Sequence, residues 1–234
     1  MSAAMWQSIQ PGSSILAILA TLVIFRLSLM LFEKSGRNSL FHPLITGPLA
    51  IAAGIALLPI QFEDYQNRVA ILTWLLGPAT VALAIPLHNQ LPNIRAGALP
   101  ILITTLLGGS AAVAMALASA AILGADTVVL HSLASKSITT PIALSISELI
   151  GGIGQLAAGA VIITGVTGAL VAPTMLRSIG ITDSRIIGFT LGVTAHGIGT
   201  ARAFDIDLQA GAYASLGMGL TGMLTALILP LLFV

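Results

Sequence analysis

Long apolar blocks separated by short polar links run the length of the chain. Residues 15–32 read as a first helix, 43–60 as a second, 69–87 as a third segment, 96–123 as a long helix of small residues, 155–176 as another and 210–233 as the last. Crossing the roughly 30 Å hydrocarbon core takes about 20 largely apolar residues, and on that measure the blocks allow about seven or eight passes. The pattern therefore predicts an all-α, polytopic membrane protein made of one integral membrane domain over residues 1–234. Charges gather in the links: Glu33, Lys34 and Arg37, then Glu63, Asp64 and Arg68, then Arg177, Asp183 and Arg185. Arg26 falls inside the first block, where it snorkels to the interface, pairs within the bundle or faces water. Residues 1–10 carry no basic side chain, so the first block reads as a retained helix rather than a cleaved secretory signal.

The blocks are interrupted in three places, and the interruptions hold the chemistry. The first is the stretch from His131 to Glu148, which places Lys136, Ser137, Thr139, Thr140 and Pro141 in apolar surroundings. Proline lacks an N–H and suits the first turn of a helix, so residues 142–150 read as a half-helix with Ser137, Thr139 and Thr140 at its amino-terminal cap. Such an end carries partial positive charge and free N–H donors, and with the Lys136 ammonium beside it the segment is built to hold a small anion. The alternative is a connecting loop at the membrane surface. The second interruption is Gly77-Pro78, followed by Thr80 and later by Pro86. The third spans 188–203, where Gly197 and Gly199 loosen the helix after His196, and Thr200 and Arg202 restart it. A buried histidine is commonly a packed core residue, but an ionisable cluster at membrane depth is a functional hypothesis by default. Glu148 is either an interior proton site or an interfacial residue where its helix ends. The segment 127–150 either crosses once with a kink or turns back as a hairpin.

Broken segment followed by small-residue helix occurs twice: Pro78 precedes Pro141 by nearly the interval that separates Ala96-Gly-Ala from Ala158-Gly-Ala. This suggests repeat units at 64–123 and 127–178, of the inverted kind found in transporters.

Composition narrows the classes further. The chain is 56% hydrophobic and 7% charged, against roughly 25% charged in soluble domains. A net charge of +1 without a basic tract gives no footprint for nucleic acid. The absence of cysteine excludes disulfides and thiolate chemistry. Neither a His-Glu-x-x-His pair nor Gly-x-Ser-x-Gly is present, so no enzyme, metal site or cofactor is expected. Interrupted helices with hydroxyls and cations at the breaks are instead what a saturable carboxylate site requires. On this reading Lys136 and Arg202 neutralise the anion while Thr80, Thr139, Thr140 and Thr200 orient it, and His196 and Glu148 are candidates for proton coupling. The interrupted bundle would move against a scaffold formed by the first two helices and one small-residue helix.

Four stretches, 76–87 (Leu-Gly-Pro-Ala-Thr-Val-Ala-Leu-Ala-Ile-Pro-Leu), 135–143 (Ser-Lys-Ser-Ile-Thr-Thr-Pro-Ile-Ala), 151–153 (Gly-Gly-Ile) and 195–203 (Ala-His-Gly-Ile-Gly-Thr-Ala-Arg-Ala), resemble the LrgB/CidB family. The resemblance runs from about residue 43 to the carboxyl terminus. That family commonly has proline before the lysine and tyrosine where His88 stands; this chain has Ser135 and His88. The resemblance implies a multi-pass protein of the cell inner membrane, likened both to holin/antiholin-like proteins that modulate murein hydrolase activity beside a small LrgA/CidA-like partner and to carriers of glycolate, glycerate or pyruvate. Under the second likeness the expected substrate is a small monocarboxylate, the assembly a homodimer and the mechanism elevator-like.

Overall fold

The computed structural model describes residues 11–36, 41–58, 60–82 and 84–233. The chain falls into two compact units, Met1–Ala82 and Leu83–Val234. The first unit holds α1 (Pro11–Lys34), α2 (Pro43–Leu57), α3 (Phe62–Arg68) and α4 (Ala70–Ala82). Here α1 packs against α2 and α3. The Thr21 hydroxyl meets the Tyr65 hydroxyl at 2.9 Å, the Phe32 and His42 rings stand 4.8 Å apart edge to face, and Arg26 is exposed. The break predicted at Gly77-Pro78 does not occur: α4 continues through both residues and ends at Ala82. A proline inside a membrane helix is tolerated when the carbonyl it frees finds another donor, so the residue type alone does not dictate a break.

The second unit holds α5 (Ala84–Asn89), α6 (Leu91–Ala96), α7 (Ala98–Ile122), α8 (Thr127–Ala134), α9 (Thr140–Leu149), α10 (Gly154–Ser178), α11 (Ser184–Phe204) and α12 (Leu208–Phe233). Among the described residues, four helices are long and apolar enough to cross a membrane: Ser14–Lys34 within α1, then α7, α10 and α12. Twenty-five residues rise about 37 Å, more than the hydrocarbon core requires. Only 6% of the α7 span is buried within the protein, so its apolar side chains are left for lipid or other helices.

Part of the remaining apolar sequence turns back on itself. Arms α8 and α9, of 8 and 10 residues, rise about 12 and 15 Å, half a bilayer at most. They are antiparallel: Ser135 Oγ donates to Ala143 O at 3.3 Å near the turn, and the Ile153 amide, just beyond α9, donates back to Ser132 Oγ of α8 at 2.8 Å. Residues 127–149 thus form a helical hairpin, the second of the two alternatives the sequence leaves open.

The helix α11 conceals another hairpin. His196 has φ 42° and ψ −129°, far outside the helical region, and the chain reverses there. On the way in, α11 runs parallel to α12, with Gly188 against Ala210 and Gly192 against Ala214. On the way out it lies against its own first arm, with Gly199 facing Leu191, and Ile187, Leu191, Ala203, Ala210 and Ala214 share one buried cluster. A Cβ on Gly188 or Gly192 would stand 2.1 or 2.0 Å from the Ala210 or Ala214 carbonyl oxygen, so only glycine permits this approach.

The two hairpins enter from opposite ends. Hairpin 127–149 lies against the last turns of α12, where Ala134, Ile146 and Ile150 pack on Leu229 and the His131 and Phe233 rings are 5.0 Å apart. Hairpin 184–204 has its base at the end of α10, where Ala172 and Leu176 pack against the cluster around Ile187. Hairpin plus spanning helix therefore occurs twice in opposite directions, at 127–178 and 184–233.

Asp207 closes the base of hairpin 184–204. Its carboxylate accepts from Ser184 Oγ and from the Ala210 amide at 2.8 Å, joining the starts of α11 and α12. Burial pushes this carboxyl up, yet the Ser184 hydroxyl and the Ala210 and Gln209 amides outweigh burial and hold it below its ordinary value. The clamp therefore stabilises the fold fully above the unfolded-chain pKa of about 4 and is lost as pH falls through the lower folded value. In thermal melts Asp207→Ala is expected to lose about 1 kcal/mol at pH 7, and the gap to wild type should close in acid below about pH 4.

Candidate functional site

The hairpin tips converge on the Val161 turn of α10. From one side comes the link between α8 and α9. Thr139 is the N-cap of α9 and Pro141 sits in its first turn, as predicted, although the Thr139 hydroxyl makes no capping bond. Ile138, 1% exposed, packs with Val161 and Ala143. Lys136 is half-buried beside that helix start and donates from Nζ to Ser137 Oγ at 3.2 Å. Ser137 is buried, while Thr139 and Thr140 are partly open.

From the other side comes His196, 3% exposed. Its Nε2 lies 2.9 Å from Val161 O. A carbonyl oxygen can only accept, so Nε2 carries the proton and a neutral ring leaves Nδ1 as its acceptor. The ring occupies the space left by Gly165, where a Cβ would stand 2.7 Å from Cε1. Thr200 is also buried; its hydroxyl donates to His196 O at 2.8 Å. A non-glycine residue at positive φ costs roughly 1–3 kcal/mol and persists where its surroundings demand it. Lys136 belongs to the link whose Ile138 clusters with Val161, the residue whose carbonyl meets His196.

Lys136, Ser137, Thr139, Thr140, His196 and Thr200 thus lie on the two tips that meet at Val161. The other predicted site residues are placed differently. Arg202 lies on the outgoing arm toward the hairpin base, its side chain 18% exposed and 3.8 Å from Asp205. Glu148 is exposed in the last turn of α9. The Thr80 and Gly77 side-chain positions lie outside the described residues, and both belong to the first unit. The reversal after Ala195 falls on His196 itself, not on Gly197 or Gly199, with Gly197 exposed beside it. Sequence reasoning missed Ile138, Val161 and Gly165. One signal for the pairing of tips was present: Lys136-Ser-Ile-Thr-Thr140 and His196-Gly-Ile-Gly-Thr200 share an Ile two residues, and a Thr four residues, after the ionisable side chain.

An apolar bundle in which two oppositely directed hairpins bring polar tips together between spanning helices is a multi-pass membrane protein with an interior polar site. The chain belongs to the LrgB-like family, whose model matches residues 21–234. It is similar to the Bacillus subtilis protein YwbG, described as uncharacterized, with 34% identity over 81% of this chain and 84% of that one. An uncharacterized Haemophilus influenzae protein is 30% identical over 86% of this chain and 87% of its own length. The antiholin-like protein LrgB of Bacillus cereus is 30% identical over 92% of this chain and 93% of its own. No solved structure matches.

Proposed function

We propose that this protein is a secondary carrier of small monocarboxylates, of the glycolate, glycerate, pyruvate or lactate class, working by alternating access across the cell inner membrane. One observation carries the reading: a half-buried lysine at a helix start and a strained, buried histidine lie on two hairpin tips that meet at Val161. A short carboxylate fits this chemistry, since Lys136 supplies the charge, the start of α9 supplies amide dipoles, and Thr139 and Thr140 can bind a neighbouring hydroxyl or oxo oxygen. His196 Nδ1 is the proton acceptor, a role that suits coupling of an acid's movement to a proton. Arms that reach only half the bilayer support an elevator-like movement of the hairpin-bearing helices, with the site carried between two faces.

Uptake of labelled glycolate or pyruvate into proteoliposomes tests this reading. Saturable uptake without leakage of an unrelated entrapped dye is the expected result. Equal passage of dye and acid would mean a pore.

The name of the Bacillus cereus relative favours a second reading, an antiholin-like protein; with the family resemblance, that role would be to modulate murein hydrolase activity beside a small LrgA/CidA-like membrane partner. Under it the vesicles show no saturable uptake, and affinity purification of the tagged chain from its native membrane recovers a small membrane protein. Homodimerisation, expected of the carrier, is read from the mass of the detergent-solubilised particle.

A further inference from the structure

The two hairpins are fastened differently, and we propose that hairpin 127–149 is the moving gate of the site and hairpin 184–204 its fixed wall. The inference rests on the carrier reading for what the gate admits, but not for the motion itself.

Hairpin 184–204 is held by backbone contacts along its length. Gly188 and Gly192 lie on the Ala210 and Ala214 carbonyls, and Gly217 of α12 lies on the Phe189 carbonyl. Its tip is pinned by His196 to Val161 O, and Ala195, His196 and Thr200 are all buried. At its base the Asp207 carboxylate ties Ser184 to the start of α12. Displacing this hairpin would break all of these together, and packed backbones of this kind do not yield gradually.

Hairpin 127–149 lacks such contacts at its tip. Its bond at the turn, Ser135 to Ala143, is internal to the hairpin and travels with it. What seats the tip on α10 is side-chain packing, with Ile138, Ala143 and Ile142 clustered around Val161. The tip is also the more open of the two: Lys136, Thr139 and Thr140 are partly accessible and Pro141 is exposed. Glycines at positive φ flank the hairpin at both ends, Gly124 at +80° and Gly151 at +82°. Loop and element-terminal residues of this kind absorb the dihedral change of a hinge. Lifting Ile138 off Val161 leaves the His196 bond to the Val161 carbonyl intact and opens the Lys136 side of the site. A bound carboxylate draws Lys136 and the start of α9 back toward His196, so ligand closes the gate.

Single cysteines in this cysteine-free chain test the asymmetry. Ile138 and Val193 are both buried, at 1% and 4% exposure, and Ile138→Cys and Val193→Cys each remove bulk. In vesicles, a water-soluble maleimide is expected to label Ile138→Cys at least about tenfold faster than Val193→Cys, as local opening of one element requires. Saturating glycolate should slow labelling at 138 alone. Equal rates, faster labelling at 193, or no labelling at either position would overturn the gate. If the difference in rates persists but glycolate leaves it unchanged, the gate stands and the carboxylate reading fails. Should either variant misfold, hydrogen exchange of the wild-type protein gives the same comparison. Helical amides of 143–147 should exchange about tenfold faster than those of 187–192, and equal protection would contradict the proposal.

Discussion

Lys136→Ala is expected to lower kcat/KM for glycolate uptake by about 10- to 100-fold while leaving the protein folded. A hydrogen bond to a charged group contributes about 1.5–3 kcal/mol, and each 1.4 kcal/mol is tenfold in rate or affinity. The lysine is half-buried and its hydrogen bond runs to the adjacent Ser137. Its removal therefore leaves no opposite charge stranded in the interior, and size-exclusion behaviour should match wild type. Arg202→Ala is expected to have the smaller effect, because that guanidinium engages Asp205 toward the hairpin base. A larger loss in Arg202→Ala than in Lys136→Ala would move the anion site away from the tips.

The largest loss of stability is expected from Gly192→Ala. A methyl there would stand 2.0 Å from the Ala214 carbonyl oxygen and within 2.8 Å of that residue's Cα, both backbone atoms that no rotamer change can move aside. The α11 and α12 backbones must separate, which strains the Gly188 and Gly217 contacts on the same seam. Overpacking of this kind costs about 1–3 kcal/mol and sometimes more, which lowers Tm by about 2–4 °C per kcal/mol in a chain of this size. Gly159→Ala is the matched control: nothing lies within 4 Å of its added methyl, and alanine is the better helix former. Melts of the two variants in one detergent separate helix propensity from close approach.

The helices themselves were legible because span length and apolar content are local properties. The predicted 96–123, 155–176 and 210–233 correspond to Ala98–Ile122, Gly154–Ser178 and Leu208–Phe233. The start of α9 was legible for the same reason, since Thr139, Thr140 and Pro141 form a compact helix-start signal. Direction was not. Whether a chain of good helix formers continues or reverses at one residue depends on what receives it, and at His196 the receivers are Val161 and Gly165, some thirty residues away in sequence. Gly77-Pro78 shows the converse, a strong local breaking signal through which α4 continues. The site was half legible. Lys136 and His196 stood out as ionisable residues in apolar surroundings, and Arg202 carried the same signal while standing 3.8 Å from Asp205 on the outgoing arm. Charge in an oily stretch marks a residue without saying what it faces.

The most direct measurement is an experimental density map of the protein in a membrane mimetic with glycolate at saturating concentration. The account predicts a compact feature between Lys136 Nζ and the His196 ring, roofed by the start of α9, with chain reversals at 135–139 and at 196. Straight crossings through either stretch, or ligand density bound elsewhere with Lys136 turned away, would contradict it.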